Sequence, residues 1–168
     1  MPRAAGSSSG CPPADGRVPP LRRYFFRMTE GLNLRLLDVL AAATDALVTE
    51  LHADACSISR VIGDVLILVA EQTHDGSTLQ SGQGYLVPDY PQTAEVLETR
   101  EPRALTLDDD DVDVGEADIL RTLGYGSLLM VPFDVNGNAW GLVEVYRRDR
   151  RPFTSADVRR AVELSRIT

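Results

Sequence analysis

Thiols, imidazoles and clustered carboxylates are the groups in this sequence able to do chemistry, and their number and spacing limit what that chemistry is. The cysteines are Cys11 and Cys56, and the histidines are His52 and His74. They lie at no zinc-ligand spacing. A haem would need one of the histidines as an axial ligand. His52 falls where an apolar helical pattern ends, and an imidazole there is favoured by the helix C-terminus. His74, in Gln72-Thr73-His74-Asp75-Gly76, reads as a surface-loop residue, so haem is not expected. Asp108 to Asp111, Asp113, Glu116 and Asp118 place seven carboxylates in eleven residues. Calcium is the chemical reading of such a run, but the Asp-x-Asp-x-Asp-Gly order with a closing Glu is missing. The run reads instead as a solvated loop that supplies negative charge to the N-terminus of the next short helix.

The composition narrows the classes further. Of 168 residues, 43% are apolar and 25% charged, which fits one ordinary folded domain. All 17 basic residues are Arg. A chain without Lys has no Schiff-base or P-loop lysine. Residues 1 to 30 carry a net charge of +3 and residues 31 to 168 one of −11, so nucleic acid and anionic membranes are not expected partners. The longest uninterrupted aliphatic run is Val65 to Ala70, far below the roughly 20 apolar residues of a membrane span. No apolar segment follows Arg3 to make a secretory signal, so a cytoplasmic location is expected.

The elements that must position these groups follow from pattern. Residues 1 to 31 read as a Pro-, Gly- and Ser-rich disordered tail and a lead-in segment around Tyr24, Phe25 and Phe26. From Asn33, a candidate cap, the pattern is helical. Leu36, Leu40, Ala43, Leu47 and Leu51 form one apolar face, with Leu37, Ala41 and Val48 as a second stripe interrupted by Thr44. That second stripe is the candidate dimer face. Strands are expected over Ala55 to Val61 and Val65 to Glu71, joined at Gly63-Asp64, and over Ser127 to Val135 and Asn138 to Arg147, joined at Asn136-Gly137. Between the hairpins, Pro91 opens a short helix that ends before Pro102, Arg103 to Leu107 reads as a short strand, and Glu116 to Leu123 as another short helix. A final helix opens at Thr154 or Ser155, with Asp157 in its first turn, and is expected to run to Thr168.

These residues carry a family likeness. Gly124-Tyr125-Gly126-Ser127-Leu128-Leu129-Met130-Val131-Pro132-Phe133, then Asn136-Gly137, Trp140-Gly141-Leu142-Val143-Glu144-Val145-Tyr146 and Arg151-Pro152-Phe153-Thr154-Ser155-Ala156-Asp157 resemble the C-terminal half of a GAF domain. The middle segment, from Tyr85 through Pro88, Tyr90 and Pro91 to Glu101-Pro102, resembles the variant found in bacterial, particularly actinobacterial, signalling regulators. The resemblance covers about residues 32 to 168, read as a single GAF-like domain. It implies an α+β fold: a six-stranded antiparallel sheet, with long helices on one face and short helices and loops over a pocket on the other. It further implies a non-catalytic sensory or regulatory module of signal transduction that binds a small molecule or dimerises, with an output domain or partner protein beyond these residues.

The specialised activities of that family each require particular residues. Cyclic-nucleotide binding resembles an Asn-Lys-Phe-Asp-Glu signature, which a chain without Lys lacks. Covalent bilin attachment usually shows a Cys-His pair, whereas Cys11 lies in the tail and Cys56 is followed by Ser57. The cofactor is therefore left unknown. The enzymatic relative, free methionine sulfoxide reductase, needs a thiolate and a resolving cysteine, and Cys56 has no second cysteine in the domain; a purely structural dimerisation unit is the other alternative. The family topology makes the strands of Arg60 and Glu144 neighbours, so these two are expected to form an ion pair. Ser57, Ser59, Tyr85, Tyr90, Arg121, Ser127 and Trp140 are the groups expected around the pocket.

Overall fold

The computed structural model describes residues 34–79, 84–135 and 138–166. The expected tail, Asn33 and the Asn136-Gly137 turn lie outside the described residues. Helix α1 spans Leu34–Glu50, and its apolar stripe lays Leu40, Leu47 and Leu51 against the sheet. Thr44 interrupts that stripe in sequence but not in packing. It is fully buried, and its hydroxyl donates back to the Ala41 carbonyl at 2.8 Å, which satisfies the polar group inside the helix itself.

Strands β1 (Ala55–Ile62) and β2 (Val65–Thr73) form the first hairpin, turning at Gly63 with a φ of 59°. A three-residue strand, β3 (Gly84–Leu86), adds to the outer edge of β2. After a single 3-10 turn come α2 (Pro91–Thr99), β4 (Arg103–Thr106) and α3 (Val114–Leu123). The second hairpin pairs β5 (Ser127–Val135) with β6 (Asn138–Arg147), and α4 (Ser155–Leu164) closes the fold. All six strands make one antiparallel sheet in the order β3-β2-β1-β6-β5-β4. β1 and β6 are therefore its central pair.

Each face of the sheet carries its own apolar layer. Under α1 and α4 lie Cys56, Ile58, Val131, Val143 and Val145. Under α2 and α3 lie Leu66, Leu128, Met130, Leu142 and Tyr146. The alternation of these sets along β1, β5 and β6 is the two-residue period of a strand covered on both faces.

Arg147 joins the ends of the outer helices. Its guanidinium donates to the Leu51 carbonyl at 2.8 Å and the Pro152 carbonyl at 3.1 Å, lies 3.4 Å from the Asp157 carboxylate, and covers the Phe153 ring at 3.9 Å. Asp157 also completes a capping box with Thr154 at the start of α4. The last helix ends at Leu164, short of the expected Thr168. Ser165 turns its hydroxyl back onto the Ala161 carbonyl at 2.7 Å, satisfying one of the carbonyls of the final turn.

The acidic run has a more specific job than solvation. Asp113 caps α3 by accepting from the Gly115 and Glu116 amides, and it also accepts from the Gln92 amide at the start of α2. Gln92 in turn donates to the Asp111 carbonyl at 2.8 Å. The two short helices are thereby tied N-terminus to N-terminus, and both lie across the same face of the sheet.

Candidate functional site

Between that face and the short helices lies a cavity of about 30 Å³. Its floor is Leu66 of β2, Leu128 of β5, and Glu144 and Tyr146 of β6. Tyr85 of β3, paired beside Leu66, extends that floor at the sheet edge, and the roof is Tyr90 and Thr93 around the start of α2 with Glu116 and Ile119 of α3. Space of this size holds a water or two, or a head group of similar bulk.

Two carboxylates face it. Glu144 sits directly across the ladder from Ser57, whose hydroxyl donates to Glu144 Oε2 at 3.1 Å. Burial raises the Glu144 carboxyl above its ordinary range, against the opposing pull of hydrogen bonds from Ser57 and Tyr146. Glu116 stands on α3 with 1% of its surface exposed, and its Oε1 accepts from the Thr93 amide at 2.7 Å. Its Oε2 is buried with no hydrogen-bond partner. Burial, reinforced by the neighbouring Asp113 carboxyl, lifts Glu116 to about 7. The Tyr85 and Tyr90 rings meet edge to face, 5.8 Å between centroids, and both are half-buried. Burial raises the phenols of Tyr85, Tyr90 and Tyr146, which stay neutral near pH 7.

Of the residues singled out in the sequence, Tyr85, Tyr90 and Glu144 line this cavity. Ser57 reaches it through Glu144, and Ser59 is buried two residues further along β1, opposite Leu142. The remaining candidates stand elsewhere. Arg60 and Glu144 form no ion pair. Arg60 lies three residues from Ser57 and so points to the other face, where its guanidinium is 5.6 Å from the centre of the Trp140 ring. Trp140 packs edge to face on Phe133 in the layer beneath α1 and α4. It has the same parity as Glu144, but the ladder passes from Phe133↔Gly141 to Asp134↔Ala139 and leaves Trp140 in a bulge, which reverses its facing. Arg121 is exposed and paired with Asp118 at 2.9 Å, while the Ser127 hydroxyl donates to the Asp149 carbonyl at 3.1 Å. On the candidate dimer stripe, Leu37 is half-buried and Ala41 exposed. Val48 belongs to the core instead, because the last turn of α1 presses both Leu47 and Val48 onto the sheet.

Glu116, Thr93 and Tyr146 are the site residues that sequence reasoning missed. The spacing Asp113-x-x-Glu116 fits a capping box and identifies a helix start, but nothing in that spacing predicts burial of the second acid.

His52 and His74 are both exposed and neither borders the cavity. Among the described residues no group of three or more His, Cys, Asp or Glu is placed to hold a metal. Cys56 is fully buried in the layer beneath α1, and burial, with Glu144 nearby, pushes its thiol far above the ordinary range. Iodoacetamide at pH 8 is therefore expected to leave Cys56 unmodified in the native protein and to alkylate it after denaturation. Peptide mass mapping reads the difference, and modification of Cys56 in the folded state would contradict this placement.

Comparison with known proteins agrees with this geometry. Residues 35–167 match the family model for the GAF domain. The chromophore-binding domain of Stigmatella aurantiaca bacteriophytochrome superposes with a TM-score of 0.66 at 16% identity, over 87% of this chain and 56% of that one. The phycocyanobilin-bound GAF domain of a cyanobacterial phytochrome gives 0.65 at 20% identity, covering 86% of each chain. The GAF domain of a two-component sensor histidine kinase from Bacillus halodurans gives 0.63 at 19% identity, over 76% of this chain and 86% of that one. No curated protein matches the sequence. A family model that spans nearly all the described residues, on a six-stranded antiparallel sheet with helices on both faces, makes this chain a member of the GAF domain family.

Proposed function

We propose that the chain is a sensory or regulatory module of bacterial signal transduction that works by binding a small molecule, without turnover, in the cavity between the sheet and α2 and α3. The single observation that carries this reading is Glu116 Oε2, a buried acceptor on the cavity wall with no partner. Leaving such a group unsatisfied costs about 1–3 kcal/mol, and a ligand donor removes that cost. The names of the structural neighbours support the same class: two bind bilin-type chromophores or belong to phytochromes, and one is part of a sensor kinase. A bilin would need the roof of Tyr90 and α3 to move outward, because drug-sized ligands occupy cavities of roughly 300–1,000 Å³. The open part of α1, at Leu37 and Ala41, is the surface through which a second copy would pair. No helix of the described residues is long and apolar enough to cross a membrane, and a cytoplasmic module is the reading that fits.

Native mass spectrometry of the freshly purified protein tests both halves. Two copies carrying the mass of a retained small molecule, or acquiring one on incubation with a metabolite extract, are expected. A bare protein that takes up nothing from the extract would overturn the sensory reading, and a bare monomer would overturn the pairing.

A further inference from the structure

The cavity also has a charge preference, and the inference drawn from it rests on the sensory reading above. Glu116 and Glu144 reach this space from α3 and β6, elements remote in sequence, so their convergence is a product of the tertiary fold rather than of the acidic run. Among the described residues no Arg or His borders the cavity. An anionic ligand would meet two carboxylates and no compensating charge. Capping explains half of Glu116, since Oε1 takes the Thr93 amide at the start of α2. It leaves Oε2 buried and unpartnered. At the rim, the half-buried rings of Tyr85 and Tyr90 offer π faces of the kind that attract cations. The space between suits a head group close to water in size.

We propose that this cavity recognises a small organic cation, a primary alkylammonium whose charged head sits between Glu116 and Glu144 and against the Tyr85 and Tyr90 rings, and whose carbon chain leads outward past those rings. The ammonium donates to Glu116 Oε2 and to the free lone pairs of Glu144, and the aromatic rim selects for an alkyl tail over a bare metal ion.

The groups facing Glu116 define the pH dependence. Asp113, at the entry to its own helix, is held ionised, against the effect of burial, by a hydrogen bond from the Glu116 carboxyl in its protonated form and by the Glu116, Gly115 and Gln92 amides. Tyr90 beside α2, Tyr85 of β3 and Tyr146 of β6 are neutral through the working range. Glu144 is raised by burial and adds a slope of the same sign as Glu116. A cation binds the ionised carboxyl, so its affinity grows as pH climbs through about 7, the value for Glu116, and levels off above it. Between pH 6 and 8 the ionised fraction of one such group rises about tenfold, and the binding constant follows.

Calorimetric titration with propylammonium chloride, against n-propanol and sodium propionate at matched ionic strength, tests the assignment. Saturable binding is expected for propylammonium alone, about tenfold tighter at pH 8 than at pH 6. Glu116→Gln and Glu144→Gln should each weaken it at least about tenfold. Glutamine keeps an acceptor for the Thr93 amide and the Ser57 hydroxyl, so both variants should fold, with melting followed by circular dichroism as the check. Tyr85→Leu, which leaves both carboxylates in place, should weaken binding about two- to fivefold, as an exposed cation–π contact would, and Arg121→Ala should leave it unchanged. Comparable binding of propanol or propionate, or unchanged affinity in both Gln variants, would overturn the cation assignment. If propylammonium fails while native mass spectrometry finds another retained molecule, the cation class falls and the sensory reading stands. If both fail, the two fall together.

Discussion

Replacing Arg147 by alanine is expected to cost about 3–5 kcal/mol of folding stability, the range for removing one partner of a buried charged network. The side chain is 4% exposed and contacts Leu51, Pro152, Phe153 and Asp157 at once. Its loss leaves the Leu51 carbonyl at the end of α1 without its donor and strips the cation from the Phe153 ring. It also frees Asp157, which then holds only its cap at Thr154. For a domain of this size each kcal/mol moves the melting point by about 2–4 °C, so a fall on the order of 10 °C is expected. Urea unfolding of the variant beside Asp157→Asn separates the network from the single ion pair. The carboxamide substitution should be the milder of the two, and an Arg147→Ala cost below about 1 kcal/mol would show that the guanidinium is dispensable.

Gly141→Ala is expected to be at least as damaging, for a steric reason. A Cβ at this position would stand 2.0 Å from the Ser59 carbonyl oxygen, a backbone atom held in the central β1–β6 pairing. Neither strand is free to retreat, because β6 is paired on its other side to β5 and β1 to β2. Glycine here is required for close approach of two backbones rather than for turn formation. Overpacking of ordinary side chains costs about 1–3 kcal/mol. A clash against two paired backbones should exceed that, giving a protein that fails to accumulate in soluble form or melts at least about 10 °C lower. A variant with native melting behaviour would mean that the central strands can separate locally.

Much of this architecture was legible because local signals agreed with one another. Gly63-Asp64 between two apolar runs identifies the first hairpin, and Pro91 opens α2 where expected, whereas α3 begins at Val114, two residues ahead of the expected Glu116, because Asp113 caps it. The short strand Gly84–Leu86 gave no signal, since three residues carry no measurable period. The cavity was harder to read. Arg60 and Glu144 are conspicuous as polar interruptions of apolar strands, but whether they meet depends on register, and one strand's sequence does not state its partner's offset. Trp140 was misassigned because a single bulge reverses parity for the residues on one side of it. Glu116 was hidden among six other acids of the same run; what sets it apart is burial, which comes from the packing of α3 against the start of α2 rather than from its place in the run.

The seam between β1 and β6 has a consequence for how the molecule assembles. Each hairpin can form locally, since its strands are neighbours in sequence. Joining them requires Ser57 to find Glu144 at a separation of 87 positions, and the loop entropy of that closure must be met before any of its ladder bonds form. The two halves are therefore expected to acquire hairpin structure first and to dock afterwards. Because the cavity has walls from both halves, Tyr85 from one and Glu116 from the other, it comes into existence only with that last step.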